Sequence, residues 1–114
     1  MNQFEERIEQ YKTMATKLNL GIDDDLLLRA TKSLGPSIYD LDTEVIACGQ
    51  KDELEALKKN FLRKQLALTD DEAVLDKAID EVCEEMGRSN SVKFRAIFYI
   101  LLTRKFNKES FYDA

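Results

Sequence analysis

The segment Gly87-Arg88-Ser89-Asn90-Ser91, continued by Val92-Lys93-Phe94-Arg95, gathers three cations, two hydroxyls and a side-chain amide in nine consecutive residues. Residues of these types suit an anion. Arg88, Lys93 and Arg95 supply charge, and Ser89, Asn90 and Ser91 supply directional hydrogen bonds. A helix beginning here would add unpaired backbone N–H groups and partial positive charge at the same place. Acids normally stabilise that position, so cations there oppose the helix dipole, and local rules tend to be broken at functional sites. A phosphate, a nucleotide or a partner's carboxylate would relieve the conflict. The acidic stretch immediately before the loop could relieve it from within.

Other kinds of chemistry find less support. The chain contains no histidine, which removes the usual general base and the commonest metal ligand. Asp23-Asp24-Asp25 and Asp40-x-Asp42-x-Glu44 are oxygen-rich, but a calcium loop counted from Asp40 would need glycine at its sixth place and glutamate at its twelfth. Val45 and Lys51 stand there. These acids are better read as caps and first-turn residues at the positive ends of helices. Cys48 and Cys83 lie 35 positions apart with no C-x-x-C pair, so they read as small buried hydrophobes and not as a metal or redox motif. No metal, cofactor or catalytic residue is expected, and the function class favoured is non-enzymatic.

Charge falls into blocks. Residues 1–57 carry net −6, 58–68 carry +4, 69–87 carry −7 and 88–108 carry +6, within a total of −5. In the third block Asp76, Asp80 and Glu84 recur every four residues, as do Glu81 and Glu85. Like charges so spaced repel by about 0.2–0.5 kcal/mol per pair in an isolated helix. Cations from the flanking blocks are the nearest source of relief; an acidic face left open for a basic partner is the alternative. The positive blocks at 58–64, with Lys58, Lys59 and Arg63, and at 88–108 also raise the possibility of salt-dependent nucleic-acid binding if they share a face. The net negative charge does not favour it.

These groups have to be positioned by helices, because apolar residues recur at helical spacing and nothing alternates with a period of two. Phe4, Ile8, Tyr11, Ala15 and Leu18 form one stripe, which Gly21 should end. Asp23 or Asp24 caps a second helix carrying Leu27, Ala30 and Leu34, and Gly35-Pro36 stops it. Asp42 could cap a brief helix over Val45 and Ile46. From Asp52 the stripe Leu54, Leu57 and Phe61, widened by Leu62 and Leu66, marks a further helix. Thr69-x-x-Glu72 has capping-box spacing before Leu75, Ile79, Val82 and Met86, with Gly87 terminating. Ser89, Asn90 or Ser91 should cap a last helix over Val92 to Phe106, with Asn107 as its C-cap. The run Ala96 to Leu102 is apolar on every side, so that helix must be surrounded.

The strings Gly35-Pro36-Ser37-Ile38-Tyr39, Lys58-Lys59-Asn60-Phe61-Leu62, Val82-Cys83-x-x-Met86-Gly87-x-Ser89-Asn90 and Lys93-Phe94-Arg95-Ala96-x-Phe98-Tyr99-x-Leu101-Leu102 occur in this order. Through them the sequence resembles the small bacterial proteins catalogued as domain of unknown function 2853, from Leu18 to Phe106. The resemblance implies an all-helical cytosolic bacterial protein and supplies no substrate, cofactor or catalytic residue.

The expectation is therefore a single all-α domain over residues 1–114. Five main helices and one short one should pack around a central hydrophobic C-terminal helix. Its apolar runs are too short for a membrane span and its first ten residues lack a signal core, which points to a cytoplasmic protein. It would act as an interaction module through Arg88, Ser89, Asn90, Ser91, Lys93 and Arg95, with Ser37, Tyr39, Lys58, Lys59 and Arg63 as secondary candidates. The partner would be another protein or a phosphate-bearing ligand.

Overall fold

A computed structural model describes residues 1–113 and contains no extended sheet among them. Six α-helices follow in order: α1 (Gln3–Lys17), α2 (Asp24–Leu34), α3 (Leu41–Glu44), α4 (Lys51–Leu57), α5 (Glu72–Glu85) and α6 (Arg95–Lys105). Short 3-10 turns cover Gly35–Tyr39 and Glu109–Tyr112, and a π-helical segment, Lys58–Gln65, prolongs α4. The architecture is all-α, with five longer helices and one of a single turn.

The core is built around α6. Every residue from Ala96 to Thr103 is buried, and α1, α2, α3 and α5 all pack against this helix. Tyr11 and Ala15 of α1 and the pair Leu27 and Ala30 of α2 lie in the same core, and Ile8 on the same stripe is buried, as their spacing requires. Helix α6 is shorter than the apolar pattern suggests. Phe94 is extended at ψ 131 and forms an isolated antiparallel bridge with Val45, while Lys93 O accepts from Ile46 N at 2.8 Å. Lys93 thus gives its carbonyl to a neighbouring segment, Phe94 stands as N-cap with its own carbonyl accepting from Phe98 N at 2.9 Å, and the helix begins only at Arg95. Val45 and Ile46, expected on a brief helix, form the other side of this bridge. The short helix lies before them and is capped by Asp40, whose side chain accepts from Asp42 N at 3.1 Å.

Helix ends follow capping chemistry, with several shifts of position. Asp23 caps α2 through its carboxylate, which accepts from Asp25 N and Leu26 N. Asn19, not Gly21, closes α1: at φ 56 it is left-handed, and Asn19 N and Leu20 N reach back to Thr16 O and Ala15 O in a Schellman pattern. Asn107, at φ 55, closes α6 in the same way, with Lys108 N bonded to Thr103 O at 2.8 Å. The Thr69 capping box does not form; α5 begins at Glu72 after Asp71, without a side-chain cap.

Cys48 and Cys83 are joined in a disulfide with Cα atoms 6.2 Å apart. The inert-thiol expectation is corrected here, since the fold brings the loop before α4 against the buried face of α5 and so closes a 35-residue separation. Spacing alone carries no trace of that encounter.

Leu102 on α6 is wholly buried. Leu102→Ala is expected to lower unfolding free energy by about 2–5 kcal/mol, the range for cavity-forming substitutions in cores. Urea titration followed by circular dichroism checks this; a loss below about 1 kcal/mol would contradict the central placement of α6.

Candidate functional site

The structure divides the 87–95 segment between structural tasks and one cleft. Gly87, at φ 92, ends α5 in a conformation few other residues tolerate. Asn90 then closes the loop: its side chain donates to Met86 O at 3.1 Å and accepts from Val92 N at 3.0 Å. It does not cap α6. Ser89 and Ser91 are exposed and their hydroxyls make no hydrogen bond among the described residues. Arg88 turns back to α5, where it pairs with Glu84 at 2.6 Å and with Asp80. Lys93 is buried with its ammonium donating to Asn90 O. Burial, and then the Arg88 charge, hold its pKa below the ordinary lysine value.

Acids of α5 also pair with Lys58, Arg63 and Lys105. Lys58, with a side chain only 9% exposed, reaches Asp76 at 2.7 Å, Glu55 at 2.9 Å and Glu72 at 2.5 Å. Arg63 donates to Leu68 O at 3.0 Å and meets Glu72 at 3.3 Å. Lys105 pairs with Glu85 at 2.6 Å and Glu81 at 3.5 Å. Every acid in the two repulsive series therefore faces a cation from a flanking block, which settles the acidic helix as internally paired. Lys59 is exposed and makes no ion pair among the described residues.

Arg95 is placed differently. Its guanidinium lies at a cleft of about 340 Å³ formed where four separate stretches of chain meet. The end of α2 contributes Ser33 and Leu34, the 3-10 turn contributes Ser37, and α3 contributes Thr43. Phe61 and Gln65 come from the π segment, and Tyr99 stands one turn beyond Arg95. Nη1 of Arg95 donates to the Tyr99 hydroxyl at 2.9 Å, Nη2 to Glu53 at 2.8 Å, and Nε to Thr43 O. Three of the five guanidinium donors are engaged, one on each nitrogen.

The remaining groups of the cleft have a definite polarity. Ser33 and Ser37 donate to Ala30 O and Leu34 O, and Thr43 donates to Ser37 O. Their protons being engaged, these hydroxyls offer lone pairs. The Tyr99 hydroxyl accepts from Arg95 and gives its own proton to no group among the described residues. Phe61 stacks on the Tyr99 ring at 3.8 Å and forms the apolar floor. Of the secondary candidates, Ser37 joins this cleft. Tyr39 lies outside it, exposed, with Arg7 5.8 Å from its ring.

Sequence reasoning found Arg95 and Ser37 but not Glu53, Thr43, Gln65 or the involvement of Tyr99. Phe61 and Tyr99 sit at helical spacing and read as core, which they also are. A second cavity, of about 320 Å³, lies between α4 and α5 and is lined by the disulfide; it had no counterpart in the sequence. No helix among the described residues is long and apolar enough to cross a membrane.

The chain matches the family described as protein of unknown function DUF2853 over residues 9–110, and it belongs to that family. No curated protein matches it, so the roles of these residues rest on their geometry. That geometry makes a clear demand on Lys58. Hydrogen bonds that its ammonium donates to Asp76, then Glu72 and Glu55, raise its pKa above the ordinary value, a contribution fully present below about pH 10 and lost only at higher pH. Glu72 is lowered by Lys58 and then Arg63, a contribution present above about pH 4 and lost as pH falls through its folded value. Lys58→Met should thus be less stable than the native chain at pH 7, with a gap that narrows at pH 3. Urea melts at both pH values check this, and a gap independent of pH would contradict it.

Proposed function

We propose that this member of the DUF2853 family is a non-enzymatic interaction module whose recognition site is the Arg95 cleft. The observation that carries this reading is the state of Arg95. It is a guanidinium with a side chain only 16% exposed, set in a recess of about 340 Å³ and holding two N–H donors in reserve. The Tyr99 hydroxyl proton adds a third donor beside it. A carboxylate or phosphate accepts from such a fork in bidentate fashion, and the lone pairs of Ser33, Ser37 and Thr43 suit N–H groups flanking that anion. The ligand class is therefore an anionic group carried by a protein partner or a small phosphate-bearing molecule.

Glu53 is the internal competitor. Its carboxylate already neutralises Arg95, so an incoming anion exchanges with it and does not meet a bare charge. This limits affinity for isolated ions and favours a ligand with additional contacts to the cleft walls. Recognition through the loop of Arg88, Ser89, Asn90, Ser91 and Lys93 is the weaker form of the idea, because Arg88 and Lys93 are engaged elsewhere. Nucleic-acid binding through 58–64 and 88–108 is weaker for the same reason: Lys58, Arg63, Arg88 and Lys105 each face carboxylates of α5.

Titration of isotope-labelled protein at low salt with phosphate, acetate and a short acidic peptide should move the Arg95 Nε–H and the amides of Ser37 and Thr43. The peptide should bind most tightly. Arg95→Lys should weaken it by about tenfold through loss of the fork, and Glu53→Gln should strengthen it several-fold. Shifts confined to Ser89–Ser91 would return the site to that loop, and no shift in either place would reject anion recognition.

A further inference from the structure

The Cys48–Cys83 bond stands in an unusual position for a structural staple. It lines the cavity of about 320 Å³ between α4 and α5, with Leu54 and Ile79 as apolar walls. The two residues are unequally exposed: Cys83 is completely buried and Cys48 only half-buried. Charges around the opening are also unequal. Glu55 and Asp76 are held by Lys58, and Asp80 by Arg88, whereas Lys51 is exposed and makes no ion pair among the described residues. An uncommitted cation lining the same cavity as a half-buried cystine residue attracts a thiolate.

We propose that this bond is a thiol–disulfide exchange site that reacts with a dithiol through Cys48. The thiolate of the dithiol attacks Cys48 Sγ, a new S–S bond forms there, and the Cys48–Cys83 bond breaks with Cys83 leaving as a thiolate that takes up a proton. The second thiol of the reductant then loses its proton and attacks the reductant's own sulfur in the mixed disulfide, releasing Cys48 as a thiol. Two electrons and two protons pass to the protein, and the dithiol ends as a disulfide. Access selects Cys48 as the attacked sulfur, because attack on Cys83 would require the core to open.

Local anchoring makes the exchange reversible without unfolding. Ile46 is buried and bonded through its N–H to Lys93 O at 2.8 Å, so the chain is fixed two residues before Cys48. Lys58, bonded to Asp76 and Glu72, fixes the far end of α4 against α5. Seven residues separate Asp76 from Cys83, about 10 Å along the helix, so the cavity lies between an ionic clamp and a covalent one. Reduction removes only the covalent clamp and frees residues 47–50 to move from α5.

The full chain is treated with dithiothreitol at neutral pH, and free thiols are counted by rapid alkylation and mass measurement. The expected result is a reduction rate unchanged by urea below the unfolding transition, helical circular dichroism retained after reduction, and recovery of the bond with oxidised dithiothreitol. A rate that climbs with urea in step with global unfolding would overturn the proposal, as would loss of helical signal on reduction. Single-thiol variants give an independent readout. Cys48 in Cys83→Ala should react with a small aromatic disulfide at least about a hundredfold faster than Cys83 in Cys48→Ala, as access requires. Equal rates in two variants of native helical content would count against it.

Discussion

Helix α6 has no side that can face water, and the arrangement of the whole chain follows from having to cover it. Eight consecutive residues from Ala96 to Thr103 are buried. An amphipathic helix needs one neighbour, whereas a helix apolar all round needs an enclosure. Helices α1, α2 and α5, together with the one-turn α3, supply that enclosure. The demand also acts on the chain entering the helix. Lys93 is drawn down to near-complete burial with its ammonium bonded to Asn90 O, and Phe94 is held by the bridge to Val45. Arg95 is the first residue that can turn outward, so the position of the cleft is a consequence of where the enclosure ends.

Electrostatics then determine which cations remain for recognition. Helix α5 carries like charges stacked at four-residue spacing, and the two basic blocks fold onto it from opposite directions in sequence. Lys58 and Arg63 come from before it, Arg88 and Lys105 from after it. Apart from those of the buried Lys58, these pairs lie at the surface, and exposed ion pairs contribute little individually, about 0.2–1 kcal/mol. Their collective effect is to remove repulsion along α5 and to fix which way the flanking segments run. Four cations of the two basic blocks are thereby committed to α5, whereas Lys59, Lys64 and Lys108 make no ion pair among the described residues. Arg95 differs because its partner, Glu53, belongs to α4 and not to α5.

Much of this was legible in the sequence, for reasons that can be traced to particular residues. The all-α class, the stripes of α1 and α2, the enclosed run at Ala96 and the pairing of acidic with basic blocks all follow from local periodicity and charge, which a single chain displays directly. The Asp23, Gly87 and Asn107 ends were likewise visible, because capping depends on the chemistry of one residue. What escaped depends on contacts between distant segments. The disulfide, the Val45–Phe94 bridge and the Glu53–Arg95 pair join residues 35, 49 and 42 positions apart, and no spacing rule encodes them. Asn19 replaced Gly21 at the end of α1 because either residue tolerates a left-handed conformation and the buried stripe ended sooner than the glycine did.

The π segment shows how an unreadable local feature shapes both candidate sites. Residues 54, 57 and 61 fit an ordinary helix, so a single uninterrupted helix is the natural reading. In the structure Leu66 N bonds to Phe61 O at 2.9 Å, five residues back, and the wider turn changes the direction in which successive side chains leave the axis. Along eight residues it lets Lys58 reach α5 while Phe61 stacks on Tyr99 at 3.8 Å and Gln65 reaches the Arg95 cleft. Wide turns carry poorer backbone geometry and persist where side-chain contacts favour them, frequently at functional sites. Lys58 clamps one end of the disulfide cavity, and Phe61 floors the recognition cleft. The same irregular turn therefore contributes residues beside both places, Lys58 towards α5 and Phe61 and Gln65 towards the Arg95 cleft.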